Sequence, residues 1–320
     1  MRDMTNPCYL VTGSMGCIGA WALYHLVRQK QRVISFDISD NRSRLNLLLS
    51  AADQQPITFV KGDLTQFDAL LSTIRTYGVT HILHLGALQV PFCRANPVLG
   101  SQVNVVGTVN VFEAARQAGI THLTYASSIA VFGPAALYPP TPLPNDAMRA
   151  PTTLYGVYKV ANEDTARIYW QDYRLSSVAL RPYTVYGVGR DQGLTSDPTA
   201  AILAAVRGQP YTIKFSGAMH FQWASDVAQQ FIDAATVPGE GAAVYNLGNP
   251  PATVEDFVAI IKMLKPDAAI TWTDDILAFP TILDDRLLRE RVPTVYATPL
   301  REGIGHTFHH FQRAVSNGLL

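Results

Sequence analysis

The sequence predicts a doubly wound α/β fold, a parallel sheet covered by helices on both faces, with a smaller C-terminal α/β lobe. Three observations predict it. Short runs rich in β-branched and apolar residues alternate with longer helical patterns through the first two-thirds of the chain, the order expected of βαβ units. A glycine-rich turn, VTGSMGCIGA (residues 11–20), joins the first such run to the first helical segment. After about residue 184 the alternation loosens, which divides the chain into a domain over residues 1–183 and a lobe over 184–320, partly interleaved with it.

Taken in order, CYLVTG (8–13), RVISFD (32–37), ITFVKG (57–62), THILHLG (80–86), THLTYAS (121–127) and SSVALRPY (176–183) read as strands of one sheet. The helix-length intervals between them require crossovers, which make the strands parallel. In the C-terminal lobe PYTIKF (210–215), AAVYNLG (242–248) and AAITW (268–272) read as short strands. TVEDFVAIIKMLK reads as a helix, with Thr253 at its N-cap and Glu255 in its first turn. Phe221 and Trp223 alternate in a further short strand, where they suit a core as well as a pocket wall. The Pro-rich stretch PAALYPPTPLPNDAMRAP (134–151) is a long loop between a strand and a helix, the kind that forms a rim or lid beside a site.

The bulk composition narrows the function classes. With 48% hydrophobic and 16% charged residues the chain can bury a large core, and 25 basic residues balance 25 acidic ones. Zero net charge gives no long-range attraction to phosphate backbones or anionic lipid, so neither nucleic acid nor a membrane is expected as a partner. MRDMTNP runs straight into CYLVTG with no room for a signal peptide, and no apolar run approaches the roughly 20 residues of a spanning helix. A cytoplasmic protein is expected. Cys8, Cys17 and Cys93 lack CxxC spacing, so they predict free thiols and no metal site.

The glycine turn reads as a dinucleotide cradle. Gly13, Gly16 and Gly19 suit a tight turn, a backbone that a pyrophosphate must approach and a helix packed closely on a strand, and Cys17 and Ile18 open that helix. Asp37 ends the second strand, where a carboxylate takes the adenosine ribose hydroxyls and repels a 2′-phosphate. NAD is therefore favoured over NADP, although Arg42 and Arg44 lie close enough downstream to face a phosphate instead. Asp63 and Leu64 in GDL, and Leu85, Gly86 and Ala87 in HLGAL, follow the third and fourth strands at the same sheet edge.

LYGVYK (154–159) holds the chemical candidates. Residues four apart share a helix face, and of the 14 tyrosines only Tyr155 has a lysine, Lys159, at that spacing. A nearby ammonium lowers a phenol's pKa by stabilising the phenolate, so Tyr155 becomes a base able to take a hydroxyl proton while hydride leaves the same carbon. Such a pair alone is commonly a surface contact. Ser127 and Ser128, in YASSIAVFG off the fifth strand, add a hydroxyl that can bond the reacting oxygen at the same sheet edge.

With these elements in this order the chain resembles the extended short-chain dehydrogenase/reductase superfamily, in its NAD-dependent epimerase/dehydratase group. The matching pieces are TGSMGCIG, Asp37, GDL, HLGAL, NVVGTVNV with Asn104, SSIAVFG, LYGVYK and LRPYTVYG, from residue 8 to about 190. The resemblance implies a Rossmann-type fold, a Ser128, Tyr155, Lys159 catalytic set, Asn104 in the cofactor region and Lys159 on the nicotinamide ribose. It also implies a homodimer joined through the helices that follow the fourth and fifth strands.

The substrate is read from departures. Family dehydratases carry Asp-Glu after the catalytic hydroxyl residue, whereas Ser128 is followed by Ile129 and Ala130. Nucleotide-sugar epimerases show Asn and Arg where this chain has Thr184 and Met219, and the loss of those donors argues against a diphosphate, although Arg190 or Arg286 could compensate. Gln89, Arg94, Ser127, Thr184, Arg190, Thr195, His220 and Gln222, with Trp223 as an aromatic wall, compose a polar pocket for a small polyhydroxylated or carboxylate-bearing molecule. SSIAVFGP also resembles the matching segment of the superfamily's threonine dehydrogenases. The expected activity is NAD-dependent oxidation at a secondary alcohol of a free sugar, sugar acid or polyol. The alternatives are a sugar or nucleotide-sugar epimerase using the same groups, and a catalytically retired NAD-binding protein.

Overall fold

A computed structural model describes residues 7–237 and 239–320; the N-terminal hexapeptide that bears on the signal-peptide expectation lies outside them. Six strands follow the predicted order: β1 (Cys8–Thr12), β2 (Arg32–Asp37), β3 (Ile57–Lys61), β4 (His81–His84), β5 (His122–Ala126) and β6 (Ser177–Arg181). Short strands follow: β7 (Thr184–Tyr186), β8 (Tyr211–Ile213), β9 (Ala218–Met219), β10 (Phe221–Trp223), β11 (Ala242–Asn246), β12 (Ala252–Thr253) and β13 (Ile270–Trp272). The helices between them are α1 (Cys17–Arg28), α2 (Ser43–Asn46), α3 (Phe67–Thr76), α4 (Val90–Ala95), α5 (Pro97–Ser101) and α6 (Gly107–Gln117). After the fifth strand come α7 (Leu154–Tyr173), α8 (Asp197–Arg207), α9 (Ala224–Thr236), α10 (Val254–Leu264), α11 (Arg286–Arg291) and α12 (Leu300–Ser316).

The main sheet is 7-stranded in the order β11-β6-β5-β4-β1-β2-β3, and every pairing in it is parallel. The last strand, β11, comes from the C-terminal part of the chain and pairs beside β6. Strand β1 is buried along its whole length, as CYLVT at the centre of a two-faced sheet must be. One face is closed by α3, α6 and α7 around Phe112, Tyr125 and Ala166; the other is closed by α1 and α9, whose core runs on into the C-terminal lobe. In α10, Thr253 and Asp256 cap each other's backbone N–H groups, which fixes that helix's start.

The order of strands reverses between β1 and β4, so the turns that leave their carboxyl ends diverge and open a crevice. The loop after β5 and the start of α7 reach the same edge. Loop 134–151 is tied down by a parallel bridge between Leu143 and Leu283. No helix among the described residues is long and apolar enough to cross a membrane.

Candidate active site

At the crevice the glycines answer to contacts. Gly13 has φ +66°, and a Cβ there would lie 2.4 Å from Gly86 Cα, so the β1 and β4 turns touch only because both residues lack side chains. A Cβ on Gly19 would lie 2.2 Å from the Gly13 carbonyl, which sets α1 against its own turn. Gly16 caps α1 without any side-chain bond, and the first turn carries no acidic residue. The exposed N–H groups of that turn suit an anion. Asp37 accepts N–H bonds from Met15 and Ser39 at 2.9 Å each, which aims its carboxylate at the cavity and leaves lone pairs for hydroxyls. Arg42 stacks on Phe59 at 3.5 Å, while Arg44 pairs with Asp191 at 2.6 Å and donates to the Met15 carbonyl. Both arginines that complicated the NAD reading are thus engaged elsewhere.

A single cavity of about 460 Å³ runs from Asp37 and Ile38, past Gly13, Gly16, Cys17, Ile18 and Gly19, to Ser128, Tyr155 and Lys159. Asp63, Leu64, Leu85, Gly86 and Ala87 also line it. Asn104 does not line it. The π turn at Gln102–Val106 directs its amide to the Leu88 backbone, accepting from its N–H at 2.7 Å and donating to its carbonyl at 2.8 Å. Asn104 therefore touches the cavity only indirectly, by holding the backbone of Leu88, which lines it. The glycine cradle, the free helix start and the Asp37 carboxylate in one continuous cavity fit a dinucleotide.

Helix α7 starts where Thr153 accepts the Gly156 N–H at 3.1 Å. A Cβ on Gly156 would lie 2.1 Å from the Ala130 carbonyl, so the helix packs directly on the 3-10 turn Ile129–Val131 that follows Ser128. This close approach sets the Ser128 hydroxyl beside the Tyr155 phenol, where it pulls the phenol's pKa down. Lys159 is buried and donates from Nζ to the Ala126 carbonyl at 2.6 Å, with its ammonium 5.5 Å from the Tyr155 ring centre. Burial lowers the Lys159 pKa to about 8, against the opposing fields of Cys93 and Glu163.

The Tyr155–Lys159 spacing predicts a lowered phenol; in the structure burial dominates and pushes Tyr155 up to about 12, with the Ser128 hydroxyl and then the Arg190 charge pulling it back. Tyr158 donates to the Pro97 carbonyl at 2.9 Å and serves packing.

The substrate candidates divide. Gln89, Ser127, Arg190 and Thr195 line the cavity, but the Ser127 hydroxyl is spent on Glu163 at 2.5 Å. Arg190 donates from Nη2 to Thr195 at 3.3 Å, while its Nε and the Gln89 carbonyl oxygen are buried without partners. Thr184, His220 and Gln222 are not on the cavity wall. Thr184 bonds Met219, Gln222 bridges the Tyr183 N–H and the Leu247 carbonyl, and His220 sits between Asn249 and the Leu283 N–H. Arg94 is exposed and off the wall. Trp223 stacks on His306, away from the cavity. Sequence reasoning misses the apolar wall of Val90, Leu99, Val103, Tyr183, Leu194 and Phe279, because the chain gathers it from five segments with no shared motif.

The chain matches the model of the NAD dependent epimerase/dehydratase family over residues 9–248. UDP-glucuronate 4-epimerase 2 of Arabidopsis thaliana is 31% identical over 293 residues, 82% of this chain and 65% of that longer enzyme. The solved structure of MoeE5 in complex with UDP-glucose and NAD has a TM-score of 0.81 at 26% identity, covering 96% of this chain and 99% of that one. A partial consensus L-threonine 3-dehydrogenase shares the fold, with a TM-score of 0.83 at 24% identity over 96% of this chain and 100% of that one. The match over three-quarters of the chain, on a sheet and cradle of the same kind, places this protein in the NAD-dependent epimerase/dehydratase family as an NAD-dependent enzyme of the extended short-chain dehydrogenase/reductase type.

Proposed function

We propose that this enzyme, a cytoplasmic homodimer, oxidises a secondary alcohol of a small carbohydrate-type acid, with Tyr155 as base, Ser128 on the reacting oxygen and Lys159 beside the phenol. NAD, when bound, supplies the hydride acceptor. Tyr155 takes the hydroxyl proton, and the Ser128 hydroxyl steadies the oxygen as its bond to carbon becomes a carbonyl. Lys159, held by the Ala126 carbonyl, keeps a positive charge next to the phenolate that forms.

The observation that carries the choice of substrate is Arg190. Its guanidinium lines the cavity, feels burial strongly enough to lower its pKa, and has a single hydrogen bond, to a threonine, with Nε unpartnered. An unpaired cation in a partly dry site is costly until an anion arrives. A carboxylate matches its planar fork, with Gln89 and Thr195 beside it for hydroxyls. A nucleotide is disfavoured because Thr184, Met219, His220 and Gln222 are consumed within the fold.

The test is absorbance at 340 nm with NAD across sugar acids, hydroxy acids and matched neutral polyols. Acids are expected to turn over, and Arg190→Met is expected to raise their KM at least about tenfold, the weight of a lost charge-assisted bond. Preference for the neutral polyols would overturn the carboxylate reading. Epimerisation is the second reading, favoured by the likeness to an epimerase that acts on UDP-glucuronate. It predicts NAD retained through purification and a changed sugar configuration without net NADH.

A further inference from the structure

Glu163 lies one turn beyond Lys159 on α7 and is 4% exposed. Its carboxylate accepts from Ser127 Oγ at 2.5 Å, from Arg181 Nε and Nη2 at 2.8 Å each, and from Arg149 Nη1 at 3.5 Å. Arg181 is equally buried, and its remaining nitrogen donates to the Asn145 carbonyl at 2.7 Å and to Asn246 Oδ1 at 3.2 Å. One enclosed ion pair thus joins α7, the end of β5, β6, β11 and, through Asn145 and Arg149, loop 134–151.

Such a pair is poor value for stability, since desolvating both charges costs about what their attraction returns. Its geometric effect is specific. Ser127 stands between Ala126, whose carbonyl holds Lys159 Nζ at 2.6 Å, and Ser128, whose hydroxyl acts on the Tyr155 phenol. We propose that Glu163 is a positioning residue: clamped by Arg181, it fixes Ser127 and so the strand end carrying Ala126 and Ser128, while its charge supports the Lys159 ammonium. This rests on the reading that Tyr155 and Lys159 carry the reaction. The titratable groups facing Lys159 are Tyr155 and Glu163 on its own helix, His84 from β4 and Cys93 from α4. Among them Glu163 is the carboxylate.

The test is an NMR titration of the Lys159 ε-carbon in NAD-free protein, paired with NADH binding followed by fluorescence, in Glu163→Gln and Ser127→Ala. Glu163→Gln is expected to move the lysine midpoint down by about one pH unit. Ser127→Ala keeps the charge, so its midpoint should stay in place while NADH binding weakens several-fold. An unmoved midpoint in folded Glu163→Gln overturns the proposal. If that variant does not fold, Ser127→Ala decides, and NADH affinity within roughly twofold of wild type overturns it. Tyr155→Phe separates the two levels: turnover surviving in that variant sinks the catalytic reading, whereas loss of turnover there with wild-type behaviour of the other two sinks only the role of Glu163.

Discussion

In its proposed role as base, Tyr155 is opposed by its own burial. With its phenol near 12, the phenolate fraction grows tenfold per pH unit through neutrality, so kcat/KM should climb with pH. Ser128 supplies the largest pull downward on that phenol, so Ser128→Ala should shift the climb to higher pH as well as lower the rate. Tyr155→Phe should cost about 10³-fold or more in turnover and leave NADH binding intact, as expected where proton transfer is lost and the cavity is not. A pH–rate profile of each variant checks both; equal profiles for wild type and Ser128→Ala would count against the pull of the Ser128 hydroxyl on the phenol. Tyr155 and Lys159 are legible in the sequence because helical spacing alone makes them neighbours. Thr184, His220 and Gln222 are not, since polar residues near a predicted site give no hint that backbone groups such as the Leu247 carbonyl and the Leu283 N–H will claim them.

Helix α7 carries Tyr155 and Lys159, and its glycine is a contact point. In Gly156→Ala the new methyl would meet a backbone oxygen at 2.1 Å, a partner that cannot rotate away. Overpacking of about 1–3 kcal/mol outweighs the ~1 kcal/mol that alanine gains over glycine in a helix. The melting temperature should fall, and activity should fall further as the Ser128–Tyr155 contact opens. Gly305→Ala in α12 is the control: nothing lies within 4 Å of its Cβ, so that variant should gain up to ~1 kcal/mol. Val157 and Ile168, 46% and 39% exposed, fall eleven positions apart, about three turns along one face of α7. The proposed dimer through α6 and α7 predicts that Val157→Glu with Ile168→Glu yields monomers by light scattering, and a monomeric wild type would sink it. The six predicted parallel strands are readable because crossover length and β-branched runs constrain them locally. That β11 closes the sheet is not, because its neighbour β6 precedes it by some sixty residues and only the tertiary fold pairs them.

Across the whole molecule, the sheet is locked by histidines that must stay neutral. His84 is buried between Thr12 and Thr108, at 2.7 and 3.0 Å. Thr108 spends its own hydrogen on the Asn104 carbonyl, so it accepts from His84 Nε2–H and leaves Nδ1 to accept from Thr12. Neither ring nitrogen has room for a further proton without breaking this chain from β1 to α6, and burial together with the Lys159 charge lowers the pKa of His84 to about 3. His81, stacked between Tyr9 and His122 at 4.6 and 4.3 Å, is lowered to about 4 by burial and by its histidine neighbour. Both values lie below the 6.5 of an unfolded histidine, so the unfolded chain binds protons first as pH falls. The stabilisation is therefore complete above pH 6.5 and drains away towards pH 4 and 3, at about 1.4 kcal/mol per pH unit for each ring. By pH 5 the two together should remove roughly 4 kcal/mol, a large part of the 5–15 kcal/mol typical of a folded domain. Urea midpoints should fall steeply between pH 6.5 and 5, before most carboxylates titrate, and His81→Phe, which keeps the stack without the charge, should make that slope shallower by about 1.4 kcal/mol per unit. A midpoint constant over this range, or an unchanged slope in the variant, would show that these rings accept protons in the fold.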